Sequence, residues 1–509
     1  MALPHPKLLL PFFFPLRNRP TQPSPILPLP RNPALLHLKH ESFSQLQASA
    51  KDESLSTLIT ELEKQGDHSS QTAEDDLLPR NSQPEHPLSE RWREIHGLGD
   101  WAGLLDPMDP LLRSELIRYG ELAQACYDAF DYDRFSRYCG SCKYNHRHFF
   151  TCLAMPDAGY EITRFIYATS SLKIPNFFAS SHGSGKWSDR ANWIGYVAVS
   201  TDEGSARLGR RDIVVAWRGT VTKLEWIADL MDYLQPVAAA GIPCSDPGVK
   251  VESGFLELYT GKDSDCLFCK FSAREQVLAE VRKQVELYKS SGEEVSVTMT
   301  GHSLGSALAM LSAYDVAETG VSGGSPVCVF SFSGPRVGNG RWKERFEDGV
   351  GVKALRVVNV HDSVPKVPGI FFNERVPEFV KRMAESLPWS YSHVGVELAL
   401  DHKLSPFLKE TMDPSCYHNL EAHLHLLDGY HGRGQRFVLA SGRDPALVNK
   451  ACDFLEDHHL VPPFWRQDEN KGMIRATDGR WVQPDRPKID DHSQDTHHHL
   501  RLLGLLRDH

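Results

Sequence analysis

Near its midpoint the chain reads Gly301-His302-Ser303-Leu304-Gly305. This pentapeptide limits the possible folds more than any other stretch. Before it, Val295, Val297 and Met299 alternate as a strand reaching Thr300, and after it Ser306–Thr319 reads as a helix. A serine between glycines at a strand-to-helix turn matches the nucleophile-elbow pattern. Side chains at Gly301 and Gly305 would collide with the adjacent strand and helix, while His302 fills the remaining position of the turn. A helix beginning at Gly305 then offers backbone N–H groups, that of Leu304 among them, and its positive dipole end to a developing oxyanion.

The flanking pattern is α/β. Tyr196–Val199, Ile213–Trp217, Val327–Phe332 and Leu355–Val360 are short buried-type strands. Ala273–Tyr288 places Val277, Val281, Val285 and Tyr288 on one helical stripe, and Asp109–Phe130 reads as a capped helix. Strands separated by helical patterns predict a mainly parallel sheet with helices on both faces.

A lone serine is a weak nucleophile, so a base and an orienting acid are expected downstream, in the chain order Ser…Asp…His. Asp362 follows the strand Leu355–Val360 and falls on the same sheet edge as Ser303. For the base, His393, His402, His418, His423, His425 and His431 all follow Asp362. His418 sits where a turn enters the helix Asn419–Leu427, whereas His423 and His425 lie inside that helix. A second oxyanion donor is expected at Thr220, just after the strand Ile213–Trp217.

Composition narrows the function classes. With 41% hydrophobic and 24% charged residues the 509-residue chain is not wholesale disordered. A net charge of -10 argues against a nucleic-acid partner. No run of 18 apolar residues predicts a spanning helix. The first 40 residues carry five Lys or Arg and no acid, and ten prolines precede residue 34. Such a segment predicts a cleaved transit peptide (1–50), with a Pro-rich interaction tail as the other reading. Its lack of an amphipathic helix points to a plastid, a mitochondrial address being the alternative. An acidic flexible linker (51–90, with a short helix at Leu55–Glu63), one α/β domain with terminal extensions (91–482) and a histidine-rich solvated tail (483–509) complete the expected organisation. The cysteines, including the pairs Cys139/Cys142 and Cys266/Cys269, read as unliganded thiols, so no metal is expected.

Taken together, Trp217-Arg218-Gly219-Thr220, Glu225-Trp226-Ile227-Ala228-Asp229-Leu230, the Ser303 pentapeptide and Ser333-Gly334-Pro335-Arg336-Val337-Gly338-Asn339 resemble the class 3 lipases. Within that family, Trp101–Phe130, His418–Gly432 and the C-terminal NKGM and GRWV segments resemble the plant class I phospholipases A1 of the plastid gamma group. The resemblance implies an α/β-hydrolase fold and hydrolysis of the sn-1 ester of phosphatidylcholine and galactolipids at a lipid surface, by peripheral contact. It implies Ser303 as nucleophile, Asp362 as acid, His418 as base, Thr220 and Leu304 as oxyanion donors, and no cofactor. His423 stands where the family pattern has tyrosine, which leaves two imidazoles as candidate base. Triacylglycerol or galactolipid cleavage as the main activity, and a non-catalytic signalling role, are the alternatives. Val221–Leu234 mixes apolar and charged residues where related lipases carry a lid.

Overall fold

The computed structural model describes residues 87–132, 136, 138–169, 191–220, 233–368, 390–465, 474–475 and 481–482. All belong to one unit, Ser82–His509. The leader, the helix at Leu55–Glu63, the tail and residues 221–232 of the lid candidate lie outside the described residues.

Seven strands form the central sheet: β1 (Tyr160–Ala168), β2 (Asn192–Ser200), β3 (Arg211–Trp217), β4 (Val295–His302), β5 (Val327–Phe332), β6 (Lys353–Asn359) and β7 (Val396–Leu400). Their spatial order equals their chain order. β1 and β2 are antiparallel additions at one edge, and β3 through β7 run parallel. A smaller four-stranded sheet (Leu234–Pro236, Lys250–Glu252, Gly338–Asn339, Tyr391–Ser392) lies beside it.

A parallel sheet that advances in one direction puts its right-handed crossovers on one face. Five helices settle how both faces are covered: α1 (Pro110–Asp128), α2 (Ser253–Thr260), α3 (Ala273–Ser290), α4 (Leu304–Glu318) and α5 (Leu420–Gly429). Ile213, Val215 and Trp217 join a core with Phe255, Val277, Val281 and Leu308, from the crossover helices α2, α3 and α4. Val214 and Ala216, the alternating residues of the same strand, join Leu112 and Leu116 of α1 and Leu424 of α5. The second face is therefore closed by segments that precede and follow the sheet. Each Val or Leu buried in this way contributes about 1.5–3 kcal/mol of transfer free energy.

Local signals account for the helix starts. Asp109 caps α1, its Oδ1 accepting from Leu111 N (2.8 Å) and Leu112 N (3.1 Å), with Pro110 at the first position. Ser272 and Glu275 form a reciprocal capping box on α3. The polar residues alternating along β4 are buried too, because α1 covers them: Thr300 Oγ1 donates to Tyr119 O at 3.0 Å. Among the described residues no helix is long and apolar enough to cross a membrane.

Candidate active site

The turn between β4 and α4 is as tight as the glycines predict. A Cβ on Gly301 would stand 2.3 Å from Gly305 O, and one on Gly305 would stand 2.4 Å from Trp217 O. Ser303 has φ 59° and ψ -128°, a strained conformation for a residue with a side chain. The helix begins at Leu304, one residue earlier than expected, and Ser303 is its N-cap. The leading N–H groups of such a helix have no intrahelical acceptor, so that of Leu304 is free to bind an anion. The strained turn is held from outside: Ser303 N donates to Phe332 O (3.0 Å), and Ser306 Oγ donates to Gly301 O (2.5 Å).

Arg218, Gly219 and Thr220 leave the end of β3 beside this turn. A Cβ on Gly219 would meet the Tyr127 hydroxyl at 2.1 Å, His302 O at 2.5 Å and Ser303 Cβ at 3.2 Å, so only glycine fits. Arg218 is fully buried over the Phe130 ring and donates to Trp193 O (3.1 Å) and Gly219 O (3.0 Å), which fixes the path of the chain into Thr220.

Asp362 lies three residues past a β6 that ends at Asn359, and it is buried. Its Oδ1 accepts from Val364 N (2.9 Å) and its Oδ2 faces His418 Nδ1 at 2.6 Å. Burial pushes the Asp362 carboxyl up, but the His418 imidazole beside it outweighs that effect and holds it below the usual carboxylate range. His418 is the corner between the short helix Pro414–Tyr417 and α5, with Asp413 capping the first and Asn419 the second.

The remaining histidines have other partners. His423 directs Nδ1 to Asn419 O (2.8 Å) and Nε2 to Ser333 Oγ (2.6 Å). His425 meets Ser405 Oγ (2.8 Å), His393 meets Pro365 O (2.6 Å) and His431 meets Val438 O (2.8 Å). By contrast, His418 Nε2 and Ser303 Oγ are buried with no hydrogen-bond partner among the described residues. Buried polar atoms are seldom left so.

His302 does more than fill the turn. Its Nε2–H donates to His418 O (2.8 Å), its Nδ1 accepts from the Tyr127 hydroxyl (2.8 Å), and its ring lies 4.5 Å from the His418 ring. Burial keeps this imidazole neutral, with His418 and His423 adding to the downward shift, as that pattern of donors requires. Nothing local in the sequence marks Tyr127, which is far away in the chain. The two C-x-x-C pairs are not brought together as a metal cluster among the described residues.

The family profile for Lipase (class 3) matches residues 214–372. The chain is 60% identical over 471 residues to phospholipase A1-Igamma1, chloroplastic, of Arabidopsis thaliana, covering 90% of this chain and 91% of that one. The chain belongs to the class 3 lipases. Phospholipase A1-Igamma2, chloroplastic, of the same plant is 61% identical over 434 residues, covering 84% of this lipase and 82% of the relative, which places the chain in the gamma group expected from its motifs. The Lip2 lipase of Yarrowia lipolytica has 16% identity and a TM-score of 0.38, covering 66% of this chain and 97% of that one.

Proposed function

We propose that this lipase is a plastid phospholipase A1, a carboxylic ester hydrolase that releases the sn-1 fatty acid of glycerolipids through an acyl-enzyme. The observation that carries this reading is the contrast between the two candidate bases. His423 has both ring nitrogens engaged, whereas His418 has Nδ1 on Asp362 at 2.6 Å and Nε2 unpartnered, and its ring lies 4.5 Å from that of His302, the chain neighbour of Ser303, whose Oγ is likewise unpartnered among the described residues. In this mechanism Ser303 Oγ attacks the ester carbonyl while His418 Nε2 takes its proton. Asp362 holds the Nδ1 tautomer and stabilises the imidazolium. The N–H groups of Leu304 and Thr220 receive the oxyanion. His418 then protonates the leaving lysolipid alkoxide, and a water deprotonated by His418 frees the acid. Each step is served by side chains and backbone alone.

Phosphatidylcholine is the expected substrate and galactolipids a second, both met by peripheral contact with a lipid surface; the similarity to two phospholipases A1 supports that activity over triacylglycerol cleavage. The names of both relatives also place them in the chloroplast, in line with the acid-free leader. The test uses vesicles of phosphatidylcholine and of galactolipid with different acyl chains at sn-1 and sn-2. Release of the sn-1 acid with a 2-acyl lysolipid is expected. Predominant sn-2 release, or no release from either lipid, overturns the proposal.

A further inference from the structure

Apart from the Ser303 site, one group of ligand-type side chains converges among the described residues. His361, Asp401 and His402 each bring a ligand atom within 4.8 Å of the others. They come from loops at the C-terminal ends of neighbouring parallel strands: His361 follows β6, and Asp401 and His402 follow β7. His361 Nε2 is 3.1 Å from Asp401 Oδ1, and the two histidine rings meet edge-on with centroids 4.6 Å apart. The His361 and Asp401 side chains are 33% and 36% exposed, whereas His402 is buried. An ion can thus enter from solvent on one side and meet a fixed imidazole on the other.

The support around His402 is of the kind that prepares a ligand. Asn359 Nδ2 donates to Tyr417 O (3.2 Å), so its Oδ1 is an acceptor, and His402 Nδ1 stands 3.3 Å from that oxygen. With Nδ1–H donating there, the lone pair of His402 is on Nε2. Tyr417 stacks on the His402 ring with centroids 4.7 Å apart, and Phe454 packs against it at 5.3 Å. A second nitrogen tied to an amide oxygen and a ring held by its neighbours are the usual outer supports of a metal-bound histidine.

We propose that His361, Asp401 and His402 bind a divalent transition-metal ion of the zinc class. Two imidazole nitrogens with one carboxylate suit such ions, whereas magnesium and calcium take oxygen sets. Three protein ligands leave the fourth position to water. The ion replaces the His361–Asp401 hydrogen bond and displaces the Nε2 proton to solvent. It then bridges the loops after β6 and β7. Because His361 directly precedes Asp362, the bridge steadies the loop that presents Asp362 to His418, without taking part in ester cleavage.

The test compares the full-length wild-type chain with Asp401→Asn and His361→Gln. All three retain the tail histidines His492, His497, His498, His499 and His509, so binding there is common to each. Co2+ is expected to give the wild type a visible d–d band that Zn2+ bleaches and that needs higher Co2+ in both variants, over any contribution of the tail common to all three. Zn2+ at about a hundred times the wild-type Kd is expected to raise the wild-type unfolding midpoint by about 5 °C, a shift about halved or more in the variants. Loss of a ligand should weaken Zn2+ binding about tenfold or more. Two variants are used because Asp401 also caps the turn at Lys403 N (3.0 Å), which His361→Gln leaves intact. Equal Co2+ spectra and equal Zn2+ shifts in the wild type and either folded variant overturn the proposal. So does a shift with Mg2+ or Ca2+ as large as that with Zn2+.

Discussion

Two buried polar clusters share strands β3 and β4, and they are built to opposite ends. At the start of β3, Asp212 is saturated: Oδ1 accepts from Ser296 Oγ and Thr298 Oγ1, and Oδ2 from the Tyr119 and Tyr160 hydroxyls, each at 2.7 Å. Burial pushes its carboxyl up, but Arg210, His96 and Arg118 more than reverse this and hold it far below the usual range. At the other end of the same strands, Ser303 Oγ and His418 Nε2 are left without partners. Full satisfaction makes a buried carboxylate inert and stabilising; leaving a hydroxyl and an imidazole nitrogen unmatched keeps them available to a substrate. For the carboxylate of the one and the hydroxyl of the other the difference is one of partners and not of burial, since both clusters are almost fully enclosed.

The sharpest way to break this comparison is Ser303→Ala. It should cost roughly 10^4–10^6-fold in turnover on sn-1-labelled lipid, with an unchanged denaturant midpoint. Retained turnover would sink the nucleophile assignment. Next come the two imidazoles. His418→Ala should lose about 10^4-fold or more and His423→Ala less than about tenfold in turnover of folded protein; the reverse order would make His423 the base.

The Asp212 cluster should respond in the opposite currency. Asp212→Asn leaves Arg210 buried without its counter-charge, Arg118 keeping its ion pair with Glu115, and should lower unfolding free energy by about 3–5 kcal/mol, while the protein that remains folded turns over normally. A collapse of turnover at unchanged stability would show that the two clusters are not functionally separate.

The smallest effect concerns pH. Burial draws the His425 imidazole down to about 3, with the Arg443 charge adding to it. A histidine whose folded pKa is depressed contributes stability that is present above its unfolded pKa and is lost as pH falls. The loss begins near pH 6.5 and should proceed at about 1.4 kcal/mol per unit for this group. His425→Gln, which can still bond Ser405, should flatten the slope of unfolding free energy between pH 6.5 and 5 by that amount. His302 and His423, also lowered by burial, act in the same sense and are untouched by the change. An unaltered slope would show that His425 titrates normally in the folded chain.

How much was legible in advance follows from the range of the forces involved. The strand, the turn and the helix around Ser303 are set by neighbours in the chain, and the glycines at 301 and 305 announce the tight turn, although Trp217 and Phe332, which press on it and hold it, are distant in the chain. Asp362 is readable one step further, because a residue just past a strand must lie at a sheet edge. His418 is different: pattern alone left several histidines open, and only resemblance singled it out. Its contact with Asp362 spans 56 residues and depends on α5 packing against the sheet. The same holds for Tyr127 and His302, 175 residues apart, which fix the backbone of His418.

The sequence by itself determined the elements: a strand-turn-helix with a strained serine, a parallel α/β pattern, and a leader unlike the rest of the chain. These follow from steric and hydrophobic periodicities that act over a few residues. The tertiary structure decided which face each helix covers, which histidine is left with a bare nitrogen, and why Gly219 and Arg218 are needed beside Thr220. The reason is that one-directional winding puts every crossover on a single face. The N- and C-terminal segments had to close the other, and it is this closure that sets the His418 imidazole on Asp362 and beside His302, the chain neighbour of Ser303.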